Sequence, residues 1–197
     1  MSRTKGSSGP KTQQAIRREA LRLIYAHGYE GMSLRDLAKE VGILQGSLYN
    51  HIETKQALLF SLMEDHMKAL LKGLDDELKG VDDPVAQLTA FITFHVEYHM
   101  DRRAEVYTNN SELRSLEPEN LKRIRAHRRA YEKRVIEILD KGVKDGSFKV
   151  GNTKVAAFAM IAMLTGVCNW YKPGGAMSRD ELVRTHTDMA LKRVMAT

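Results

Sequence analysis

One short stretch of the chain concentrates side chains that can hydrogen-bond to bases and phosphates. These residues are Gln45, Gly46, Ser47, Tyr49, Asn50 and His51. Amide, hydroxyl and imidazole groups contact base edges and phosphate oxygens in duplex DNA, and Gly46 lets the backbone approach closely because it has no side chain. The stretch therefore indicates contact with nucleic acid. The alternative is that it forms the solvated polar face of a packed helical hairpin.

Two short helices joined by a tight turn must position this stretch. Ser33, with Asp36 three residues later, can cap the first helix in a variant of the capping box, and Gly42 can end it. The second helix is predicted over about 45–51 and can enter a major groove about 12 Å wide. Flanking residues that could hold phosphates are Ser33, Arg35 and Lys55.

The rest of the chain predicts an all-α protein of about nine helices. Apolar residues recur at helical spacing, and no alternating strand pattern or internal repeat is present. Gly28 can stop the first helix, Thr54, Thr153 and Ser178 can cap later ones, and Pro84 takes a favoured first position. Beyond the two short helices, the predicted helices cover about 11–27, 54–70, 84–100, 117–141, 153–171 and 178–194.

Charge and cysteine content narrow the class of protein. The 197 residues carry 31 Lys and Arg against 25 Asp and Glu, a formal net charge of +6 that suits an anionic partner or simply keeps the protein soluble. Basic residues outnumber acidic ones in 1–60 and in 111–197, whereas acidic residues outnumber basic ones in 61–110. Such an asymmetry is expected of a protein with distinct functional surfaces. Cys168 is the only cysteine, which excludes an intramolecular disulfide and fits a reducing cytoplasm.

Membrane and enzyme alternatives find little support. The uncharged run 155–171 has 17 residues, short of the roughly 20 of a membrane helix, and predicts a buried helix; residues 1–11 lack the apolar core of a secretory signal. His95 and His99 could face a metal from one helix, but no third ligand is evident. Nucleophile elbow, P-loop and dinucleotide patterns are absent. We therefore expect no catalytic site, metal, cofactor or membrane partner.

At this point a resemblance to the TetR family of bacterial regulators is clear over about 12–70. The family pattern Ala-x-x-x-Gly, then Gly-x-Leu-Tyr-x-His-Phe-x-x-Lys-x-x-Leu, corresponds to 38–42 and 46–58 here, with Ile52 for Phe and Asn50 for Tyr or Arg. The resemblance implies a DNA-binding domain 11–70 with its helix-turn-helix at 33–52, and an effector and dimerisation domain 71–197. The preceding residues 1–10 are rich in Ser and Gly, which predicts a flexible tail. By resemblance, phosphates contact Tyr49, His51 and Lys55, and base edges lie near Gln45 and Ser47.

The resemblance also implies a homodimer formed through 153–171 and 178–194. The first of these helices is apolar on nearly all sides and needs cover, which a partner subunit can supply; the alternative is burial within its own chain. Two-fold symmetry then predicts a palindromic DNA operator, bound by a cytoplasmic protein that joins the bacterial nucleoid.

Segments 101–107, 109–116 and 169–175 are similar to a TetR subgroup that controls fatty-acid and sterol degradation and responds to acyl-CoA. The similarity implies a repressor with an acyl-CoA effector, the alternative being another hydrophobic small molecule or drug. The basic segment 114–134 could hold the phosphates of coenzyme A, although a solvated face is the favoured interpretation. Candidate ligand-binding residues, each of which could equally be core, are Phe94, His95, Tyr98, Arg102, Asn109, Met160, Met163, Leu164 and Trp170.

Overall fold

The all-α prediction is confirmed by the computed structural model, which describes residues 9–195. Within that range the chain forms ten α-helical segments and one 3-10 turn, with no β-strand beyond an isolated bridge between Phe148 and Met195. The predicted tail 1–10 lies outside the described residues except for Gly9 and Pro10, which begin α1. The elements are α1 (Gly9–Gly31), α2 (Leu34–Val41), α3 (Gln45–Leu48), α4 (Lys55–Glu77), α5 (Pro84–Asp101), α6 (Arg103–Ser111), the 3-10 turn (Leu113–Ser115), α7 (Pro118–Asp145), α8 (Thr153–Thr165), α9 (Val167–Trp170) and α10 (Arg179–Val194).

Most helix starts follow their predicted caps. The Ser33 side chain accepts a hydrogen bond from the Asp36 N–H, and Thr54 Oγ1 accepts one from Ala57. Ser178 forms the complete capping box of α10. The cap predicted at Thr153 is wrong. The preceding Asn152 takes that role with its side-chain oxygen 3.0 Å from the Val155 nitrogen, since Asn caps at least as well as Thr.

Several helices differ from the prediction, α1, α4 and α7 by being longer and three others in kind. The second helix of the hairpin ends at Leu48, and the chain continues to His51 in turns. The helix predicted over 153–171 is divided at Gly166 into α8 and the short α9. Residues Arg103–Ser111 form a helix that the sequence analysis did not identify. Helix ends and short helices have the weakest local signals, so these are the places where errors concentrate.

The chain packs as two compact units. The first runs up to His66 and also includes Ala104–Ile124; the second consists of Met67–Arg103 and the chain from Arg125 onwards. Each unit has its own apolar core. Residues 104–124 therefore pack with the N-terminal unit, although they follow the predicted boundary at residue 70. The largest fully buried side chains include Ile16, Ile24, Leu37, Leu48 and Leu59 in the first unit and Phe91, Leu88, Ile92 and Leu74 in the second.

The apolar stretch Thr153–Trp170 is mostly uncovered in the single chain. By length and composition alone it could cross a membrane, which for one helix is weak evidence, and 28% of it is buried inside the protein. The stretch is therefore only partly buried by its own chain, and its burial by a partner subunit stays a prediction. Val155 and Phe158 are exposed, because no element of the described chain covers that side of α8.

Candidate DNA-binding surface and effector region

A tight turn between α2 and α3 sets the geometry of the candidate DNA-binding surface. Gly42 has φ 74° and ψ 33°, the left-handed conformation that glycine adopts without strain. Its N–H donates to the Lys39 carbonyl at 3.1 Å, and the Ile43 N–H donates to the Ala38 carbonyl at 3.0 Å. These bonds close the end of α2 and turn the chain directly into α3.

Helix α3 is anchored on one side only. Leu48 is fully buried and packs in the same core as Leu37 and Ala38, which is small where the two helices approach. Ile52 is also buried and keeps the apolar role expected of the Phe that it replaces. The buried side fixes α3 in place, so its opposite side is held outward.

The residues of α3 and the following turn that are predicted to contact DNA are accessible to different extents. Gln45, Gly46, Asn50 and Tyr49 are exposed, with 52% of Tyr49 accessible, and Ser47 and His51 are half-buried. The structure thus leaves these residues fully or partly accessible, and their contact with DNA stays a prediction.

Two flanking residues that were predicted to hold phosphates have structural partners. The Ser33 hydroxyl, besides capping α2, donates to the Asp36 carboxylate at 2.5 Å. The Lys55 ammonium lies 4.2 Å from the centre of the Tyr29 ring and donates to the Glu30 carbonyl at 3.5 Å. Arg35 is exposed. Phosphate contact by these three residues stays a prediction.

Tyr29 is the centre of the support beneath the hairpin. Gly28 redirects the chain at φ 73° and ψ 166°, a conformation available essentially to glycine, as its prediction as a helix stop implied. The buried Tyr29 N–H then donates to Glu112 Oε1 at 3.1 Å, and Glu112 Oε2 accepts from the Ser115 hydroxyl at 2.8 Å. Burial raises the pKa of Tyr29. Gln56 on α4 donates to the Ser115 carbonyl, so segment 104–124 supports both α1 and α4.

Ion pairs fix α1 against its neighbours. Arg17 contacts Asp65 at 2.7 Å and the Ser61 hydroxyl at 3.1 Å, which joins α1 to α4. Arg22 pairs with Glu40, which joins α1 to α2. Being partly exposed, each pair contributes little to stability.

In the second unit, His95 lies in a buried polar network. Its Nδ1 is 2.8 Å from the Tyr131 hydroxyl and its Nε2 is 3.0 Å from Thr165 Oγ1, so both ring nitrogens have protein partners. Burial raises the pKa of Tyr131 well above its ordinary value. The network is that of a satisfied core histidine, and ligand contact by His95 stays a prediction.

His99 stacks on His95 with 3.8 Å between ring centroids. Its Nδ1 donates to the His95 carbonyl at 2.7 Å, and burial lowers its pKa to about 4, so the ring is neutral at pH 7. Among residues 9–195, no group of three or more His, Cys, Asp or Glu side chains could hold a metal ion.

The other candidate ligand residues are dispersed. Asn109 is buried in the first unit, and the rest belong to the second. Phe94 contacts Tyr98, Arg102 lies over the Tyr98 ring at 5.0 Å, and Trp170 is exposed beside His186. Leu164 is fully buried in the core.

Met160 and Met163 alone among the candidates line a cleft of about 490 Å³ between α8 and α10. Its other walls include Val155, Met189 and Arg193, which the sequence analysis did not select. The apolar pattern of α8 was the available signal for Val155, whereas Met189 lies in a mostly polar helix and gave none.

The basic segment 114–134 shows a largely solvated face. Arg123 pairs with Glu64 at 2.7 Å, and Arg134 pairs with Asp75 at 2.8 Å. Most of the remaining cations are exposed, as the favoured interpretation of this segment requires. These exposed side chains are Arg114, Lys122, Arg125, Arg129 and Lys133.

An N-terminal helix-turn-helix followed by an all-helical C-terminal part defines a class of bacterial regulatory proteins, and comparison identifies the family. Residues 16–62 match the model of bacterial regulatory proteins of the tetR family, and residues 81–194 match that of the tetracyclin repressor-like C-terminal domain. The chain belongs to the tetR family. It is accordingly a transcriptional regulator and not an enzyme.

Individual relatives extend over nearly the whole chain. The chain is 27% identical to the HTH-type transcriptional repressor KstR2 of Mycolicibacterium smegmatis. The alignment spans 187 residues and covers 91% of each protein. It is 30% identical to the crystal structure of the TetR family regulator PfmR of Thermus thermophilus, with 90% and 97% coverage and a TM-score of 0.82. AibR in complex with isovaleryl coenzyme A and operator DNA is 25% identical, with 90% and 97% coverage and a TM-score of 0.84.

Proposed function

We propose that this protein is a homodimeric transcriptional repressor that leaves a palindromic operator when an acyl-CoA binds to its C-terminal part. The observation that carries the proposal is the accessible polar surface of α3 and the turn after it, where Gln45, Tyr49 and Asn50 are exposed while Leu48 anchors α3 in the core. The protein would work in the bacterial cytoplasm, on the nucleoid.

Binding to duplex DNA across a range of salt concentrations tests the first part. A regulator that neutralises several phosphates shows a steep fall of affinity with salt, with a slope of about −0.9 for each phosphate. Tyr49→Ala is expected to weaken binding to all duplexes similarly and to leave the oligomeric state unchanged; Tyr49→Phe, which removes only the hydroxyl, is the matched control. Salt-independent binding would contradict the proposal.

Uncovered apolar residues support a dimer through 153–171 and 178–194. Val155 on α8 and Met189 on α10 are exposed in the cleft between these helices, Phe158 is exposed elsewhere on α8, and a second copy would bury them. The two recognition helices of such a dimer would be spaced by one turn of DNA, about 34 Å, or a multiple of it. Sedimentation measurements of the free protein test directly whether it is a dimer.

The effector proposal is supported by AibR, the relative solved with isovaleryl coenzyme A, and by the similarity to acyl-CoA-responsive regulators. Operator affinity should be measured with isovaleryl-CoA and longer acyl-CoA thioesters, and free coenzyme A is the control for the shared nucleotide part. An unchanged affinity with every thioester would eliminate this effector class. The same assay with hydrophobic drugs tests the alternative.

Release requires an effector that prefers the protein conformation unable to bind DNA. Helix α4 begins at Lys55, directly after the hairpin, and its residues contribute to both units. Effector binding would therefore shift α4 and change the separation of the two recognition helices. Spin labels at Asn50→Cys in a Cys168→Ser background would report that distance with and without effector, and an unchanged distance would contradict this mechanism.

A further inference from the structure

Leu44, which precedes α3, carries the most exposed large apolar side chain among residues 9–195. It is 79% exposed, whereas Ile43 before it is half-buried and Leu48 after it is fully buried. Exposed leucines are common on protein surfaces, so exposure alone would indicate nothing. The exposure of Leu44 is informative because of its position between α2 and α3.

Leu44 occupies the N-cap position of α3, where leucine is a poor choice. Its carbonyl accepts from the Ser47 N–H at 2.9 Å and from the Leu48 N–H at 3.3 Å, but its side chain has no oxygen with which to cap the helix. At the same position of α2 and α10, Ser33 and Ser178 make that side-chain bond. Departures from local sequence rules that bring the fold no gain are expected at functional sites, so Leu44 is a candidate for a functional contact.

The first residues of a recognition helix are those closest to base edges. Gln45, the neighbour of Leu44, is exposed there with a side chain that can hydrogen-bond to bases. An aliphatic side chain makes no such bond, and the apolar group that a base pair presents in the major groove is the C5-methyl of thymine.

We propose that Leu44 contacts the C5-methyl group of a thymine and so specifies that base in each half of the operator. The proposal rests on the DNA-binding function inferred above and names one element of its sequence specificity. Because the contact is apolar, it adds discrimination without adding to the salt dependence of binding.

Replacement of each thymine by deoxyuridine, which lacks only the methyl group, tests the contact. An operator is first selected from random duplexes with the full-length wild-type protein. At one thymine in each half-site, the replacement is expected to weaken wild-type binding about fourfold, the effect of exposing one buried methyl-sized group. Leu44→Ala should bind the thymine operator more weakly and show no sensitivity at that position, whereas Leu44→Met should retain it.

Leu44→Ser separates base contact from a structural role. Serine can cap α3, so the urea midpoint of unfolding should stay equal or rise while operator affinity and methyl sensitivity fall. A variant that loses stability together with affinity would show that Leu44 supports the fold, which overturns the inference.

Two further outcomes are distinguishable. If the wild type binds its operator but Leu44→Ala keeps the same sensitivity at every thymine, the inference fails and the DNA-binding function stands. If the wild type selects no duplex and shows no salt-dependent binding, the proposed function fails and the inference fails with it.

Discussion

Acidification from pH 7 to pH 5 is expected to lower the free energy of unfolding by about 2 kcal/mol through His99 alone. Burial lowers the pKa of His99 from 6.5 to about 4. Between those values the unfolded chain binds a proton that the folded chain does not. The contribution of neutral His99 to stability is therefore fully present above pH 6.5 and is lost as the pH falls. The loss levels off at about 3 kcal/mol below pH 4.

Urea unfolding of the wild type and His99→Gln at pH 7, 6 and 5, at one fixed protein concentration, measures this contribution. Carboxyl groups titrate in both proteins, so the difference between their pH slopes isolates the histidine. The variant is expected to lose about 2 kcal/mol less than the wild type over the interval. His27→Gln, which removes an exposed histidine from α1, is the matched control for the loss of one imidazole.

Equal pH slopes for the wild type and His99→Gln would refute the reasoning. An NMR titration in which the His99 ring of the folded protein gains its proton near pH 6.5 would do the same. A lower stability of the variant at pH 7 would not, because the stacking contact with His95 is lost in that variant at every pH.

Three other substitutions test the packing described above. Gly142→Ala places a Cβ 2.0 Å from the Phe148 ring and should lower unfolding stability by about 2 kcal/mol, whereas Gly151→Ala, in open space, should not. Glu112→Ala leaves the buried Tyr29 N–H without its acceptor and should lower the free energy of unfolding in urea by about 1–3 kcal/mol. An unchanged free energy would contradict the hydrogen bond between Tyr29 and Glu112. Val155→Asp should convert a dimer to monomers in sedimentation without unfolding the chain, and an unchanged mass would place the interface elsewhere.

Features with local causes were predictable from the sequence. Ser33 and Ser178 cap their helices and Gly42 ends α2, because each depends on residues within one helical turn. The exposure of Gln45 and Tyr49 and the burial of Leu48 agree with the polar or apolar character of each side chain. The candidate DNA-binding surface was therefore accessible to sequence reasoning.

Features that depend on distant partners were not predictable. Glu112 accepts from the Tyr29 N–H across 83 residues, and no local pattern reports such a bond. The candidate effector residues dispersed because core and ligand-lining side chains have the same composition; Leu164 is plain core and Trp170 is exposed. Leu44 was missed because a search for hydrogen-bonding groups passes over an aliphatic residue.

The position of segment 104–124 limits how this regulator can be re-engineered. By sequence the segment lies inside the C-terminal family domain, yet it packs with the N-terminal unit and supplies the Glu112 carboxylate beneath the hairpin. A chimaera joined between residues 62 and 81 would leave segment 104–124 to pack against a foreign N-terminal unit, in place of the one whose core it shares here. Exchange of operator preference between relatives therefore requires residues 104–124 to be transferred together with the N-terminal helices.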